Sequence, residues 1–198
     1  MTECSFGITG KDFVLLASDQ SAGRSIIKMK SDENKIRQLS PSLCMAYGGE
    51  PGDTENFVDF VERNLRLYQI RHNIELAPAP ASAYIRRILA EAIRSRRPYV
   101  VSLLLGGYDK IKDESHLYWM DPYGTKVKVP YTANGLGIYV ALSTMDKYWY
   151  PDITREEAGQ LLKRCIDEVK LRLAYQFSFN AVEIDKDGVR EYKLDGSA

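Results

Sequence analysis

Cysteine and histidine, the side chains that most often bind zinc, are few in this sequence. Cys4, Cys44 and Cys165 are widely spaced and form no CxxC pair, and His72 and His116 are isolated from each other. Because zinc and similar ions need closely grouped thiolates and imidazoles, the sequence predicts no metal site and no cofactor. We expect the three cysteines to be reduced thiols packed in the core.

Charged residues near the amino terminus accompany predicted strands. Residues 2–8 predict a first strand that contains Glu3, and residues 13–19 predict a second strand that ends at Asp19. Lys35 opens a later strand pair. The strand at 13–19 is too continuously apolar to leave a face in water, so both of its faces must be covered.

The composition limits the classes of function. The chain has 198 residues and is 44% hydrophobic, which is enough for one domain, 1–198, with a frayed tail at 195–198. Lysine plus arginine and aspartate plus glutamate both number 27, so the net charge gives no reason to expect nucleic acid or a membrane surface as partner. No secretory signal is evident, and no apolar run reaches the roughly 18 residues that span a bilayer.

The order of predicted elements indicates an α+β fold. The short connections make the strands antiparallel, and several strands are apolar on both faces. Two antiparallel sheets must therefore pack on each other with helices outside both, which is a four-layer αββα sandwich. The remaining predicted strands are a short one through 26–27 and those at 35–39, 43–48, 100–105, 115–121, 125–129, 179–184 and 189–194.

Local signals place four helices between these strands. Asp53 or Thr54 can cap the first helix, and Pro78 and Pro80 open the second. A short third helix follows the segment 135–137. The long fourth helix begins at a capping box formed by residues 154 and 157.

The roles of two further segments have alternative interpretations. The basic run at 94–99 is either a solvated helix terminus, where cations complement the helix dipole, or a protein contact. Tyr148-Trp149-Tyr150 is either an interface anchor or ordinary core packing.

Five segments in order along the chain resemble the N-terminal-nucleophile hydrolases, and in particular a type-2 proteasome beta subunit from a fungus or similar eukaryote. That subunit occupies the fourth position of the beta ring. The resemblance covers essentially the whole chain and implies the same four-layer sandwich. The segments are residues 35–49, Gly49-Glu50-Pro51-Gly52-Asp53-Thr54, Ser95-Arg96-Arg97-Pro98-Tyr99, Gly106-Gly107-Tyr108-Asp109 and Ile184-Asp185-Lys186-Asp187-Gly188.

Active relatives use an amino-terminal threonine, whose hydroxyl attacks while its free amine accepts the proton. The resemblance places Glu3 at the position of this threonine. It implies that Lys35 matches the lysine that lowers the threonine pKa, Asp19 its partner, and Gly49 the backbone N–H of the oxyanion hole. We expect Glu3, Asp19, Lys35 and Gly49 to form a vestigial site without catalytic residues, in which two carboxylates satisfy one buried ammonium. The alternative is that Glu3 is an exposed residue at a strand end.

Other positions also depart from the active pattern. Leu136 stands where active subunits have a serine between two glycines. Near the last hairpin, the expected aspartate and serine are matched only by Tyr175, Gln176 and Ser178.

The resemblance implies a non-catalytic structural beta subunit of the 20S core. Its partners would be the other beta subunits of its ring, the alpha-ring subunits and the opposite beta ring, with assembly chaperones as further candidates, in cytoplasm and nucleus.

Two rival functions remain. One is an active hydrolase that uses Thr2 after removal of Met1; a one-residue slip along a strand would aim Thr2 away from Lys35, and no propeptide precedes it. The other is a freestanding binding module on the same fold. Ser5 is a poor nucleophile candidate, because no histidine or aspartate is arranged to serve it.

Overall fold

The described part of the chain contains twelve strands and four helices. This computed structural model describes residues 3–24, 27–173 and 177–194. The helices are α1 Pro51–His72, α2 Pro78–Ile93, α3 Gly137–Tyr148 and α4 Arg155–Arg172. The strands are β1 Cys4–Thr9, β2 Phe13–Asp19, β3 Ala22–Arg24, β4 Ile27–Lys30, β5 Ile36–Ser40, β6 Leu43–Gly49, β7 Val101–Asp109, β8 Glu114–Met120, β9 Lys126–Lys128, β10 Tyr131–Gly135, β11 Phe179–Asp185 and β12 Gly188–Glu191.

Ten of these strands form two five-stranded antiparallel sheets. The first sheet has the order β10-β1-β2-β11-β12, and the second has the order β5-β6-β7-β8-β9. Strands β3 and β4 form a separate antiparallel ribbon. The edge strands are β10 and β12 in the first sheet and β5 and β9 in the second.

Strand β2 illustrates how the sequence produces the layers. Val14 and Leu16 belong to the apolar cluster between the two sheets, whereas Phe13, Leu15 and Ala17 pack in the cluster that includes α3 and α4. Side chains alternate along a strand, so a continuously apolar strand needs a cover on each face. Helices α1 and α2 cover the second sheet in the same way. The predicted four-layer αββα sandwich is confirmed.

The structure differs from the sequence analysis in three of its elements. Helix α1 begins at Pro51 after Glu50, whose side chain makes no capping bond, so the expected cap at Asp53 or Thr54 is wrong. Proline at the first helical position lacks the N–H that would need a partner there, which sets the start. Strand β10, which the sequence analysis did not predict, pairs with β1 through Phe6 and Ala133. The strand predicted at 100–105 continues to Asp109.

Other expectations are confirmed. Thr154 and Glu157 form the predicted capping box at the start of α4, and α2 begins at Pro78. The final hairpin turns between Asp185 and Gly188. The three cysteines are buried and free. None of the described helices is both long and apolar enough to cross a membrane.

The three aromatic residues at 148–150 have different environments. Trp149 packs against the cluster around α3 and α4, and its indole N–H donates to the Thr9 carbonyl at 3.0 Å. Tyr148 and Tyr150 are 42% and 43% exposed. Trp149 is therefore a packing residue, and an interface role for the two tyrosines stays a prediction. The tail at 195–198 lies outside the described residues.

Candidate functional site

Four strand boundaries meet at one end of the two packed sheets. Glu3 directly precedes β1, Asp19 ends β2, Lys35 directly precedes β5 and Gly49 ends β6. The pairing of Ser5 with Ser18 sets β1 against β2 in the register that places residues 4 and 19 opposite each other. The structure brings all four predicted site residues together.

Asp19 is the buried acceptor at the centre of this site. Its side chain is 1% exposed, and its Oδ1 accepts a hydrogen bond from the Cys4 backbone N–H at 2.9 Å. Its Oδ2 accepts from the Ser21 backbone N–H at 3.1 Å and from Lys35 Nζ at 3.0 Å. Three donors compensate the carboxylate for its loss of water, as a buried charge requires.

Lys35 is the cation of the site and is 4% exposed. Besides Asp19, its Nζ donates to the Ser21 carbonyl oxygen at 2.8 Å and lies 3.6 Å from Oε1 of Glu3. An ammonium has three donors, and three acceptors surround this one. The ammonium thus makes two hydrogen bonds, to Asp19 and to the Ser21 carbonyl, and an ion pair with Glu3.

The Glu3 carboxylate bridges Lys35 and the end of β6. Its Oε2 accepts a hydrogen bond from the Gly49 backbone N–H at 2.7 Å, while the side chain is 26% exposed. This N–H is the donor that the resemblance assigned to the oxyanion hole. A carboxylate of the chain itself therefore occupies it.

Burial raises the pKa of Glu3 above its ordinary value of 4.5. Desolvation of the carboxylate is the largest cause, and the charge of Lys35 and the hydrogen bond from Gly49 offset only part of it. The site thus holds two acidic groups for one cation, and burial favours the protonated form of Glu3.

Glycines leave the space in which the Glu3 side chain lies. A Cβ on Gly48 would stand 2.5 Å from Oε2 of Glu3. Gly49 has a φ of +152°, and a Cβ there would stand 2.1 Å from the Val100 carbonyl oxygen. Gly135 has a φ of +65°, and its Cβ would stand 1.9 Å from the Glu3 carbonyl oxygen. Only glycine fits at these last two positions without displacing backbone.

Sequence reasoning missed the parts of the site that the backbone supplies. Ser21 contributes both an N–H to Asp19 and a carbonyl to Lys35, and Cys4 contributes an N–H. The two-residue spacing between Asp19 and Ser21 is typical of an Asx turn, and that signal could have indicated the first contact. The carbonyl contact depends on tertiary structure and has no local signal.

Nearby groups that could act as nucleophiles are disfavoured. Burial raises the pKa of the Cys4 thiol to about 12, so it stays protonated at neutral pH. Leu136 packs in the cluster around α3 and α4, and the Ser178 hydroxyl donates to the Ser31 carbonyl at 3.0 Å. Thr2, Tyr175 and Gln176 lie outside the described residues. No group of metal-binding side chains occurs within 3–24, 27–173 or 177–194.

Comparison with known proteins identifies the family. The proteasome subunit family matches residues 2–184. The chain is 44% identical over 186 residues to proteasome subunit beta type-4 of Saccharomyces cerevisiae, across 93% of this chain and 94% of the relative. It belongs to the proteasome beta-subunit family. Proteasome subunit beta type-2 of Oryza sativa is 43% identical over 191 residues, across 96% of this chain and 89% of the relative.

A further proteasome relative aligns with this chain over its entire length. The probable proteasome subunit beta type-4 of Schizosaccharomyces pombe is 40% identical over 193 residues, across 97% of this chain and 100% of the relative. The resemblance inferred from the five sequence segments is confirmed, and with it the fold of the proteasome beta-subunit family.

Proposed function

We propose that this chain is a non-catalytic structural beta subunit of the 20S proteasome core, which forms part of the beta ring and the wall of the proteolytic chamber. The observation that carries the proposal is the Glu3 carboxylate. By the resemblance it stands at the position of the nucleophile, and the Gly49 N–H donates to it at 2.7 Å.

The chemistry of a threonine protease needs a hydroxyl, a free amine and an open oxyanion hole. At residue 3 the hydroxyl is replaced by a carboxylate, whose resonance-stabilised charge makes it a weak nucleophile toward an amide. The nitrogen of Glu3 is part of the peptide bond to Thr2, so it is no base. The Gly49 N–H is already bonded, and Lys35 is held by Asp19 and Ser21. All three requirements fail at this residue.

Family membership and surface character support assembly into the core particle. Relatives that align with nearly the whole chain are named proteasome beta subunits. The chain has a net charge of zero and large exposed apolar side chains, as a subunit buried in a larger body can tolerate. These exposed side chains include Ile27, Met29, Ile70, Ile74 and Leu171.

The finer assignments belong to the same proposal. The subunit occupies the fourth position of its beta ring and contacts neighbouring beta subunits, the alpha ring and the opposite beta ring. It acts in protein degradation in cytoplasm and nucleus, and assembly chaperones handle it before the ring closes. Other beta subunits cut the peptide bonds.

A threonine-directed epoxyketone tests the proposal. The chain is isolated from its native particle before and after treatment, and its intact mass and amino-terminal residue are measured. We expect an unchanged mass while other beta chains of the same particle gain the adduct. An adduct on a chain that begins at Thr2 would instead identify a protease. Purification of the native chain as a monomer would favour the freestanding binding module.

A further inference from the structure

Three arginines lie just after helix α2 and take no part in the Glu3 site described above. The helix ends at Ile93, and residues 94–97, here called the basic turn, connect it toward β7. Arg94, Arg96 and Arg97 are all exposed. The basic turn thus presents three guanidinium groups within four residues.

Within the described residues, the guanidinium groups of the basic turn have no carboxylate partner. Two exposed arginines on the helices do have such partners: Arg87 lies 2.7 Å from Glu91, and Arg63 lies 3.2 Å from Asp59. A guanidinium offers five donors in a planar fork that matches a carboxylate. Three unpaired forks side by side form a surface complementary to a chain of carboxylates.

Short hydrogen bonds fix the backbone of the basic turn. The Ser95 hydroxyl donates to the Ala92 carbonyl at 2.6 Å and accepts from the Arg97 N–H at 3.1 Å. The Ser95 N–H donates to the same carbonyl at 2.9 Å. These bonds satisfy the Ala92 carbonyl, one of the last four carbonyls of α2, without an arginine side chain. A pre-formed turn loses less conformational entropy when it binds a ligand.

The basic turn lies beside the vestigial site. Val100, three residues after it, accepts from the Glu50 N–H at 3.0 Å and donates to Asp53 at 3.0 Å. The next residue, Val101, pairs with Gly49, whose N–H binds Glu3. The basic turn therefore ends three residues before Val100, at the edge of the Glu3 site that is here called the rim.

We propose that the basic turn binds acidic segments of polypeptides on the rim of the vestigial site. This inference rests on the proposed function, because the rim faces a substrate only if the chain forms a chamber wall. Glutamates or aspartates of an extended polypeptide pair with Arg94, Arg96 and Arg97, and no covalent step is involved. The subunit then retains acidic stretches inside the chamber while its neighbours cleave.

The test compares particles assembled with wild-type chain or with Arg96→Gln/Arg97→Gln, with their catalytic threonines blocked by an epoxyketone. The probes are two fluorescent peptides, one alternating glutamate with alanine and the other glutamine with alanine. We expect the variant to raise the Kd of the acidic peptide by about threefold to tenfold, the range for two exposed ion pairs. The Kd of the glutamine peptide should not change.

Two matched variants serve as controls. Lys110→Gln/Lys112→Gln removes the same charge from the exposed turn at the opposite end of β7 and should leave both Kd values unchanged. Arg96→Lys/Arg97→Lys keeps the charge and should keep most of the preference for the acidic peptide. Equal binding of the acidic peptide by wild type and Arg96→Gln/Arg97→Gln would overturn the inference.

A salt titration of the wild-type particle covers the case in which Arg96→Gln/Arg97→Gln fails to assemble. Exposed ion pairs weaken as ionic strength rises, so preference for the acidic peptide should be present at low salt and lost at high salt. A wild-type particle with no such preference at any salt concentration contradicts the inference. Failure of the wild-type chain itself to enter a particle would contradict the proposed function instead.

Discussion

Among the residues of the charged site, Asp19 should lower the free energy of unfolding most when it is replaced. It is 1% exposed, and removing its carboxylate leaves the 4% exposed Lys35 without its closest counter-charge. We expect Asp19→Ala to lower the free energy of unfolding by about 3–5 kcal/mol, the usual cost of breaking a buried ion pair from one side. Denaturant unfolding of the purified chain measures this.

The double variant Asp19→Leu/Lys35→Met is the control for this prediction. It removes both charges and fills similar volume, so it should recover a large part of the lost stability. If Asp19→Ala alone proved neutral, the ammonium would have found another partner, and the pair would not organise the site.

Glu3 should give the chain a pH-dependent stability of defined sign. Its folded pKa is raised above 4.5, mainly by burial, so the folded state binds the proton more tightly than the unfolded state. The contribution of Glu3 to stability therefore falls as pH rises from about 4.5 through the raised pKa, and is constant above it.

Glu3→Gln tests this sign, because it can keep an acceptor for the Gly49 N–H but cannot titrate. We expect the free energy of unfolding of Glu3→Gln minus that of wild type to increase with pH across this window and then level off. Denaturant unfolding at a series of pH values measures the difference. A difference that falls as pH rises would mean that Lys35 outweighs burial.

The sequence predicted the members of the site but not its bonds. The resemblance identifies Glu3, Asp19, Lys35 and Gly49, and the structure brings them together. The choice between a filled site and an exposed Glu3 depended on side-chain placement. A rotamer that reaches Gly49 is set by tertiary packing, which local sequence does not determine.

At the level of elements, helices α1 and α4 begin differently. Thr154 accepts from the Glu157 N–H, and Glu157 accepts from the Thr154 N–H, whereas Glu50 makes no side-chain cap at α1. We expect Thr154→Ala to lower the free energy of unfolding by about 1 kcal/mol. Glu50→Ala, the matched change at α1, should cost much less. Equal losses, measured by thermal or denaturant unfolding, would contradict the assignment.

The errors in element prediction have separate physical causes. Asp53 and Thr54 are common capping residues, but Pro51 starts α1 earlier and Asp53 instead accepts from the Val100 N–H. Strand β10 has polar residues at Thr132 and Asn134, so its apolar signal is weak. Its partner is β1, more than a hundred residues earlier, and pairing at that distance leaves no local trace.

At the scale of the molecule, the layer between the two sheets should account for much of the stability. Leu104 is 0% exposed within the inter-sheet cluster, whereas Ile111 is 92% exposed. We expect Leu104→Ala to lower the free energy of unfolding by about 2–5 kcal/mol, since it leaves a cavity between packed sheets. Ile111→Ala removes a similar side chain and should have almost no effect. A small loss for Leu104→Ala would mean that the sheets can close the gap.

The fold class could be predicted because it depends on connection lengths and on which strand faces are apolar, and not on individual side-chain contacts. Short connections and strands such as β2, apolar on both faces, permit few arrangements, and the sandwich is one of them. That residues 1–198 act as one domain stays a prediction.

The pairing of β1 and β2 has a consequence for synthesis on the ribosome. These strands emerge early, yet β1 pairs with β10 and β2 pairs with β11, which follow much later in the chain. At about 5–20 residues per second, the nascent strands wait on the order of six to thirty seconds for their partners. During that interval two apolar strands with unpaired edges are exposed to other nascent chains, so the newborn subunit depends on prompt protection until translation is complete.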